Sequence, residues 1–165
     1  MIQRKELTKR FGKIDPLSIT DFLTMDGYRM LKKALGMKKE EILEEITLSR
    51  ITGRGGAGFP TSIKMKSFAN ESGVKYIICN ADEGEPGNFK DRYLMENDPH
   101  QIIEGMLISA YSTGASKGFI YIRGEYQKAI SIMKHTIKEA RRHHFLGTRV
   151  FDTDFDFDIE IRRGA

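Results

Sequence analysis

Cysteine, tryptophan and proline are scarce in this 165-residue chain, which has one cysteine, no tryptophan and four prolines. A single thiol cannot form an internal disulfide, nor can it alone supply a cysteine-based metal or iron–sulfur site. Cys79 is therefore predicted to be a small buried residue of a strand. Apolar runs are also short: none approaches the roughly 18 residues of a membrane-spanning helix. No secretory signal follows Met1, so we expect a cytoplasmic protein.

Positive and negative side chains nearly balance, which leaves a formal net charge of +4. The basic residues are most concentrated at 138–144, near the end of a predicted helix, where the helix dipole and solvation favour cations. No interleaved aromatic residues and no nucleic-acid-binding motif accompany them, so the sequence argues against a nucleic-acid partner. The apolar content of 39% is typical of one globular domain of this length.

Apolar spacing predicts helices in residues 1–52, which we interpret as a helical N-terminal extension. One helical pattern has Ser18 or Thr20 as its cap, is interrupted at Gly27 and ends at Gly36. A further amphipathic helix is predicted over 39–49.

Strands and helices alternate in residues 53–165, which we predict to form an α/β domain. The predicted elements are a short helix over 61–69, strands over 75–80, 118–123 and 157–161, and helices beginning at Asp98-Pro99 and spanning 125–144. Strand, helix, strand, helix, strand predicts two right-handed crossovers and hence a mainly parallel sheet. The core is expected to contain Ile77, Ile78, Met106, Leu107, Ile120, Ile122, Ile132 and Ile159.

The most informative segment is rich in glycine and reads Gly53-Arg54-Gly55-Gly56-Ala57-Gly58-Phe59-Pro60-Thr61. Backbone without side chains lets a flat or phosphorylated ligand approach closely, which indicates a nucleotide. Its G-x-G-x-x-G spacing alone is weak evidence, because a Rossmann fingerprint follows a strand whereas this loop follows the predicted helix over 39–49. A flexible linker is also disfavoured, since Phe59 and Pro60 fix the end of the loop.

A second segment, residues 80–87, follows the predicted strand over 75–80. Asp82, Glu83 and Glu85 place three carboxylates within four residues, which costs free energy unless a partner or ligand offsets it. Open α/β sheets bind ligands at the carboxyl ends of their strands, so we expect a ligand here. A solvated turn and a divalent-cation loop remain alternatives, although the ligand order of an EF-hand is absent. The four histidines form no zinc or triad pattern.

Six motifs follow one another along the chain. They are Gly-Arg-Gly-Gly-Ala-Gly-Phe-Pro-Thr at 53–61, Cys-Asn-Ala-Asp-Glu-Gly-Glu-Pro-Gly at 79–87, Phe-Lys-Asp-Arg at 89–92, Asp-Pro-His-Gln at 98–101, Ile-Glu-Gly-Met at 103–106 and Tyr-Ile-Arg-Gly-Glu-Tyr at 121–126. Together they resemble the FMN-binding flavoprotein subunit of NADH:quinone oxidoreductase, respiratory complex I. The same family includes the flavin subunits of NAD-linked hydrogenases and formate dehydrogenases, and these motifs do not separate the relatives.

The resemblance implies site residues and cofactors, FMN and NAD(H), at the matching positions. FMN contacts are expected from Gly53, Arg54, Gly55, Gly56, Lys64, Asn80, Asp82 and Glu83. NADH contacts are expected from Gly55, Gly56, Ala57, Phe59, Lys64 and Glu85. No side chain of the chain is expected to be a catalyst, because the chemistry takes place on the flavin, and no metal site is expected.

The resemblance also implies an activity and partners. In the family, NADH passes a hydride to FMN, and electrons continue to iron–sulfur subunits that include a thioredoxin-like 2Fe–2S subunit. We therefore expect a subunit of an NADH dehydrogenase that is associated with a membrane only through a larger complex. A flavin subunit of an NAD(P)-linked hydrogenase or formate dehydrogenase, and a non-catalytic docking module, are the alternatives.

Two departures from the family pattern qualify these expectations. Residues 62–65 read Ser-Ile-Lys-Met where the family commonly has Gly-Leu-Lys-Trp, so an aromatic ring is missing at Met65. The family's ubiquitin-like domain and four-cysteine 4Fe–4S domain are absent from the sequence. The chain is thus expected to be an N-terminal part of such a subunit that folds alone, holds FMN poorly and is inactive by itself.

Overall fold

The computed structural model describes residues 5–164, which contain seven α-helices and three β-strands. One expectation above concerns a secretory signal at Met1, and another concerns the end of the sequence at Ala165. Both residues lie outside this range. The elements are α1 (Ile19–Thr24), α2 (Arg29–Leu35), α3 (Lys39–Ser49), α4 (Thr61–Asn70), β1 (Tyr76–Ala81), α5 (Lys90–Asn97), α6 (Pro99–Thr113), β2 (Lys117–Ile122), α7 (Gln127–Arg142) and β3 (Asp158–Arg163).

The three strands form one parallel sheet in the order β1-β2-β3. In its register Ala81 of β1 pairs with Ile122 of β2, which in turn pairs with Arg163 of β3. Helix α6 lies between β1 and β2 in the chain and α7 lies between β2 and β3. The predicted α/β class with a parallel sheet and helical crossovers is confirmed. The strands end at one edge, where residues that follow β1 and β2 become neighbours.

Helices α6 and α7 cover one face of the sheet and pack against each other. Ile120, Ile122 and Ile159 on this face have no exposed surface. On the opposite face Ile78 is 67% exposed and Tyr76 is 47% exposed. The prediction that Ile78 belongs to the core is therefore wrong. Successive strand side chains point to opposite faces, and the described helices bury only one of them.

Helix α6 is the centre of the packing. It contacts β1, β2 and the helices α2, α3, α4, α5 and α7. Ile103, Leu107 and Ala110 have no exposed surface. A Cβ added to Gly118 of β2 would lie 2.7 Å from the Phe157 ring and 3.0 Å from the Met106 side chain of α6. A glycine at this position therefore leaves room for both side chains.

Three buried polar contacts connect the N-terminal segment, residues 5–35, to α6 and to Asp98, the residue before it. Arg10 Nε donates to Asp98 Oδ2 at 2.8 Å, and the Tyr28 hydroxyl lies 2.9 Å from His100 Nδ1. Glu104 Oε1 accepts from two backbone N–H groups at the start of α2, at 3.0 and 3.1 Å. The side chains packed around these contacts belong to the same core as α6. The predicted domain boundary after residue 52 stays a prediction.

Helix ends agree with the sequence in most places. Ser18 caps α1 by accepting from the Asp21 backbone N–H at 3.1 Å, as expected. Asp98 was expected to cap α6, but its carboxylate makes no capping hydrogen bond and instead binds Arg10. Helix α5 was not predicted at all. No helix within residues 5–164 has the length and apolar character needed to cross a membrane.

Truncation of the core at Leu107 is expected to destabilise the protein strongly. Leu107→Ala removes buried methyl groups at the centre of α6 and leaves a cavity, so we expect a loss of about 2–5 kcal/mol in the free energy of unfolding. The matched substitution Leu48→Ala, at a side chain that is 73% exposed, should change it by less than about 0.5 kcal/mol. Urea unfolding followed by circular dichroism measures both, and equal losses would contradict this description of the core.

A pH dependence should arise from His100. Burial lowers the pKa of His100 from 6.5 to about 4, so the unfolded chain takes up a proton at a higher pH than the folded protein does. Stability is therefore lost as the pH falls from about 6.5 towards about 4, by about 2 kcal/mol between pH 7 and pH 5. Burial raises the pKa of both Asp98 and Glu104, which acts in the opposite direction.

Comparison with His100→Gln isolates this contribution, because Asp98 and Glu104 are present in both proteins. Urea unfolding at a series of pH values should show the wild type losing more stability than the variant on acidification. Parallel pH profiles for the two proteins would show that His100 does not titrate in this way.

Candidate functional site

A cleft of about 330 Å³ lies at the carboxyl end of β1. Its lining residues come from the glycine loop, from the end of β1 and the loop that follows it, and from the start of α5: Arg54, Gly55, Asn80, Asp82, Glu83, Glu85, Lys90 and Asp91. Its volume falls at the lower end of the range for small-molecule sites, about 300–1,000 Å³. The two segments that the sequence singled out thus face one cleft.

The glycine loop, residues 53–59, is closed at its base by backbone hydrogen bonds. Gly53 N donates to Phe59 O at 2.8 Å, and Thr61 N donates to Ile51 O at 3.0 Å. Helix α3 ends at Ser49, just before the loop. The loop therefore follows a helix rather than a strand, as predicted, and the context of an ordinary Rossmann fingerprint is missing.

At the tip of this loop the backbone conformation requires glycine, whereas at the wall of the cleft glycine leaves open space. Gly56 and Gly58 have φ values of +111° and +62°, which other residues rarely adopt. Gly55 lines the cleft without such a φ value, and a Cβ built on it meets no atom within 4 Å. Nothing in the fold requires a glycine at 55, and its bare backbone is open to whatever enters the cleft.

Glu83 is buried, with only 2% of its surface exposed, and its carboxylate points towards α5. Oε1 accepts from Asp91 N at 3.0 Å and Oε2 accepts from Arg92 N at 3.3 Å. Burial raises the pKa of this carboxyl, but these backbone hydrogen bonds and Lys90 outweigh burial and lower the pKa below its ordinary value. Glu83 is therefore ionised at neutral pH and caps the N-terminus of α5.

The other polar groups of the strand-end loop are open to solvent. Asn80, Asp82 and Glu85 are exposed. The Asn80 Oδ1 atom accepts from Asp82 N at 3.1 Å, which fixes the start of the loop. Within residues 5–164, no hydrogen bond or ion pair engages the carboxylates of Asp82 and Glu85. These two acids, and the amide of Asn80, can therefore meet a ligand.

Lys90 and Asp91 line the cleft although they were not among the predicted site residues. Lys90 Nζ donates to Asp91 Oδ2 at 2.7 Å and lies 3.6 Å from Glu83 Oε1. The hydrogen bond to Asp91 is the main reason that the pKa of Lys90 is raised. The motif Phe-Lys-Asp-Arg at 89–92, which contributed to the family resemblance, was the signal that could have identified both.

Five predicted site residues do not line the cleft: Gly53, Gly56, Ala57, Phe59 and Lys64. Gly53 closes the base of the loop and Gly56 shapes its tip. Phe59 is 52% exposed, and Lys64 is exposed on α4. The structure brings Arg54, Gly55, Asn80, Asp82, Glu83 and Glu85 together, and the FMN and NADH contacts assigned to these six and to the other five all stay predictions.

Two larger clefts lie beside the N-terminal segment. One, of about 490 Å³, is lined by three lysines together with Thr8, Phe11 and Tyr93, and the other, of about 430 Å³, lies between Lys9 and Glu104. Neither lies at a strand end. We favour the cleft beside β1 because ligands of open α/β sheets bind at the carboxyl ends of strands, and because exposed backbone and opposite charges converge there.

Metal binding and thiol chemistry find little support in the described part of the chain. Residues 5–164 contain no group of three or more His, Cys, Asp or Glu side chains arranged to hold a metal ion. Cys79 lies in β1, as predicted, and is partly buried. Burial raises the pKa of its thiol to about 11, so the reactive thiolate is scarce at neutral pH.

Comparison with known proteins adds independent information. Residues 46–165 match the model of the family described as the Nuo51 FMN-binding domain. The chain is 48% identical over 159 residues to the F subunit of the NADH-quinone oxidoreductase of Aquifex aeolicus, covering 96% of this chain and 37% of that protein. It is 45% identical over 167 residues to the HndC subunit of the NADP-reducing hydrogenase of Solidesulfovibrio fructosivorans, covering 99% of this chain and 34% of that protein.

A solved structure is similar over the same length. The fold superposes on a chain of an NAD+-reducing NiFe hydrogenase in the air-oxidized state with a TM-score of 0.73 and 28% sequence identity. This match covers 99% of this chain and 25% of the hydrogenase chain. The chain thus spans about a third of the length of the curated relatives named above.

Proposed function

The chain belongs to the Nuo51 FMN-binding domain family, and from this premise we propose that its strand-end cleft binds FMN and NADH as part of an NADH dehydrogenase flavoprotein subunit. The observation that carries the proposal is the convergence of the bare Gly55 backbone with Asn80, Asp82 and Glu85 in one cleft. Bare backbone suits a flat ring, and exposed amide and carboxylate groups suit hydroxyl and ring-edge hydrogen bonds.

The cleft offers groups for both ends of FMN. Arg54 and Lys90 are the two cations available to a phosphate among four carboxylates, and Asp82 supplies a hydrogen-bond acceptor for hydroxyl groups. When bound, FMN supplies hydride acceptance from NADH and release of single electrons to iron–sulfur clusters. The protein contributes binding, orientation and electrostatics. The full proposed FMN set is Gly53, Arg54, Gly55, Gly56, Lys64, Asn80, Asp82 and Glu83.

Glu85 is proposed to face NADH. Its exposed carboxylate has no protein partner within residues 5–164 and lines the same cleft as Gly55. A carboxylate at this position can accept hydrogen bonds from the hydroxyl groups of a nucleotide. The full proposed NADH set is Gly55, Gly56, Ala57, Phe59, Lys64 and Glu85.

Membership of a hydrogenase is the second candidate. The similarity to the HndC protein of the NADP-reducing hydrogenase, at 45% identity, is comparable to the similarity to the Aquifex aeolicus oxidoreductase protein, at 48%. Both kinds of relative are named as subunits, which supports the presence of partner subunits, and iron–sulfur subunits that accept the electrons are proposed among them. Association with a membrane through such a complex is part of the NADH:quinone oxidoreductase proposal only. Co-purification with hydrogenase or quinone-reducing subunits separates the two candidates.

Filling the cleft at Gly55 tests FMN binding. Gly55→Val places a branched side chain on the wall of the cleft, where the fold leaves open space, so FMN affinity should fall at least about tenfold while stability stays near wild type. Gly56 is a poorer choice because its φ of +111° would strain any side chain. Flavin fluorescence titration gives the dissociation constant, and thermal unfolding gives the stability.

Gly105→Ala is the matched control, since Gly105 lies on α6 with open space around an added Cβ. It should leave FMN affinity unchanged and stabilise the helix slightly. Unchanged FMN affinity in Gly55→Val would sink the proposed function.

Substitution of Glu85 should separate the two nucleotides. Glu85→Gln is expected to weaken NADH binding about fivefold while FMN affinity stays near wild type, because an amide oxygen accepts hydrogen bonds less strongly than a carboxylate. Glu71→Gln, at an exposed glutamate after α4, is the control for loss of charge. Titrations with NADH and with FMN measure both affinities, and loss of FMN instead of NADH would show that the acids are wrongly assigned.

A further inference from the structure

The residues that follow β2 lie beside the strand-end loop over residues 82–87, which follows β1 and is called the acidic loop below. This neighbourhood results from the parallel register, in which Ala81 pairs with Ile122. The Arg123 backbone N–H continues the pairing by donating to Ala81 O at 3.4 Å. Residues 121–126 form a motif, Tyr-Ile-Arg-Gly-Glu-Tyr, that contributed to the resemblance without any assigned role. None of them lines the cleft.

The Arg123 side chain binds the backbone of the acidic loop. Its Nη1 atom donates to the Glu83 carbonyl oxygen at 2.7 Å. The other side of the guanidinium is fixed by Glu125, whose two carboxylate oxygens accept from Nε at 3.1 Å and from Nη2 at 3.3 Å. A planar guanidinium can make these three bonds together, whereas a lysine ammonium has no such fork. The two hydrogen bonds with Glu125 therefore orient the Arg123 guanidinium towards Glu83.

Tyr126 binds the side chain of Glu83. The Tyr126 hydroxyl donates to Glu83 Oε2 at 3.4 Å. The guanidinium of Arg92, at the start of α5, lies 5.5 Å from the centre of the Tyr126 ring. Since Glu83 also caps α5, its backbone and carboxylate are tied to the end of β2, to the start of α5 and to the residue before α7. One residue of the acidic loop is thus fixed from three elements.

We propose that Arg123 and Tyr126 are positioning residues of the nucleotide site, which act through Glu83 to set where Asp82 and Glu85 stand opposite the glycine loop. The proposal rests on the proposed function and deepens it. Asp82 is adjacent to Glu83 in the chain and Glu85 is two residues away, so a displacement of Glu83 passes directly to both. A displacement of about 1 Å in a binding or catalytic group can lower the affinity or the rate strongly.

The same arrangement assigns Glu83 a role different from that of its neighbours. The Glu83 carboxylate is engaged by α5 and Tyr126, so Glu83 supports the site in addition to its proposed contact with FMN, whereas the carboxylates of Asp82 and Glu85 accept no hydrogen bond within residues 5–164 and line the cleft. Global stability depends little on Arg123, because its ion pair with Glu125 is solvent-exposed and such pairs contribute about 0–1 kcal/mol. Loss of Arg123 should therefore affect the loop more than the fold.

The test compares Arg123→Met, Arg123→Lys and Tyr126→Phe with the wild type by three measurements. FMN and NADH titrations give affinities, amide hydrogen exchange gives the opening of residues 82–85, and thermal unfolding gives stability. Arg123→Met should weaken FMN and NADH binding about tenfold and speed exchange in the loop, with exchange in α6 unchanged. Arg123→Lys can restore the single bond to Glu83 and should recover part of the affinity, and Tyr126→Phe should have a smaller effect.

Arg142→Met is the matched control, because it removes a solvent-exposed arginine that pairs with Glu139 away from the cleft. It should leave all three measurements unchanged. Wild-type exchange in the loop of Arg123→Met, or affinities that fall only in step with thermal stability, would overturn the positioning role. Unchanged FMN affinity in Gly55→Val contradicts the proposed function, whereas loop exchange tests the positioning role separately.

Discussion

Six residues of β1 pair in parallel with six residues of β2, and this pairing determines which side chains meet at the carboxyl edge of the sheet. Because Ala81 and Ile122 are partners, the segments after them leave the sheet side by side. The acidic loop and Arg123 are neighbours for this reason, although about forty residues separate them in sequence. A shift of one residue in the register would turn every side chain of β1 to the other face and dismantle the site.

Packing of helix α6 on β1 and β2 stabilises this register. The helix packs on β1 and β2 through residues without exposed surface, and buried hydrogen bonds of Arg10, Tyr28 and Glu104 connect the N-terminal segment to α6 and Asp98. The cleft itself is built differently. Its loops are held by individual hydrogen bonds at Gly53, Asn80 and Glu83 rather than by a core. A rigid scaffold thus carries loops that a ligand can approach closely.

Much of the fold was predictable because periodic apolar residues mark elements well. Helix α3 was predicted at its observed bounds, and the parallel sheet followed from the alternation of strands and helices. Helix α5 was missed because Met95 is its only buried residue and its cap, Glu83, lies outside the helix. The exposure of Ile78 could not be predicted, since an apolar run does not show how many faces of a sheet are covered. The same limit applies to Glu83. Its place in the acidic motif indicated a ligand contact, and only the fold reveals that its carboxylate turns towards α5.

The proposed function requires a nucleotide to bind at the strand-end cleft and not beside the N-terminal segment. Amide chemical shifts of the nitrogen-15-labelled protein, recorded during addition of FMN, distinguish these two places. We predict shifts concentrated at Gly55, Asp82, Glu85 and Lys90, with the amides of residues 5–13 unchanged. Shifts centred on Lys9, Phe11 and Tyr93, which line the cleft of about 490 Å³ beside the N-terminal segment, would contradict this placement of the nucleotide.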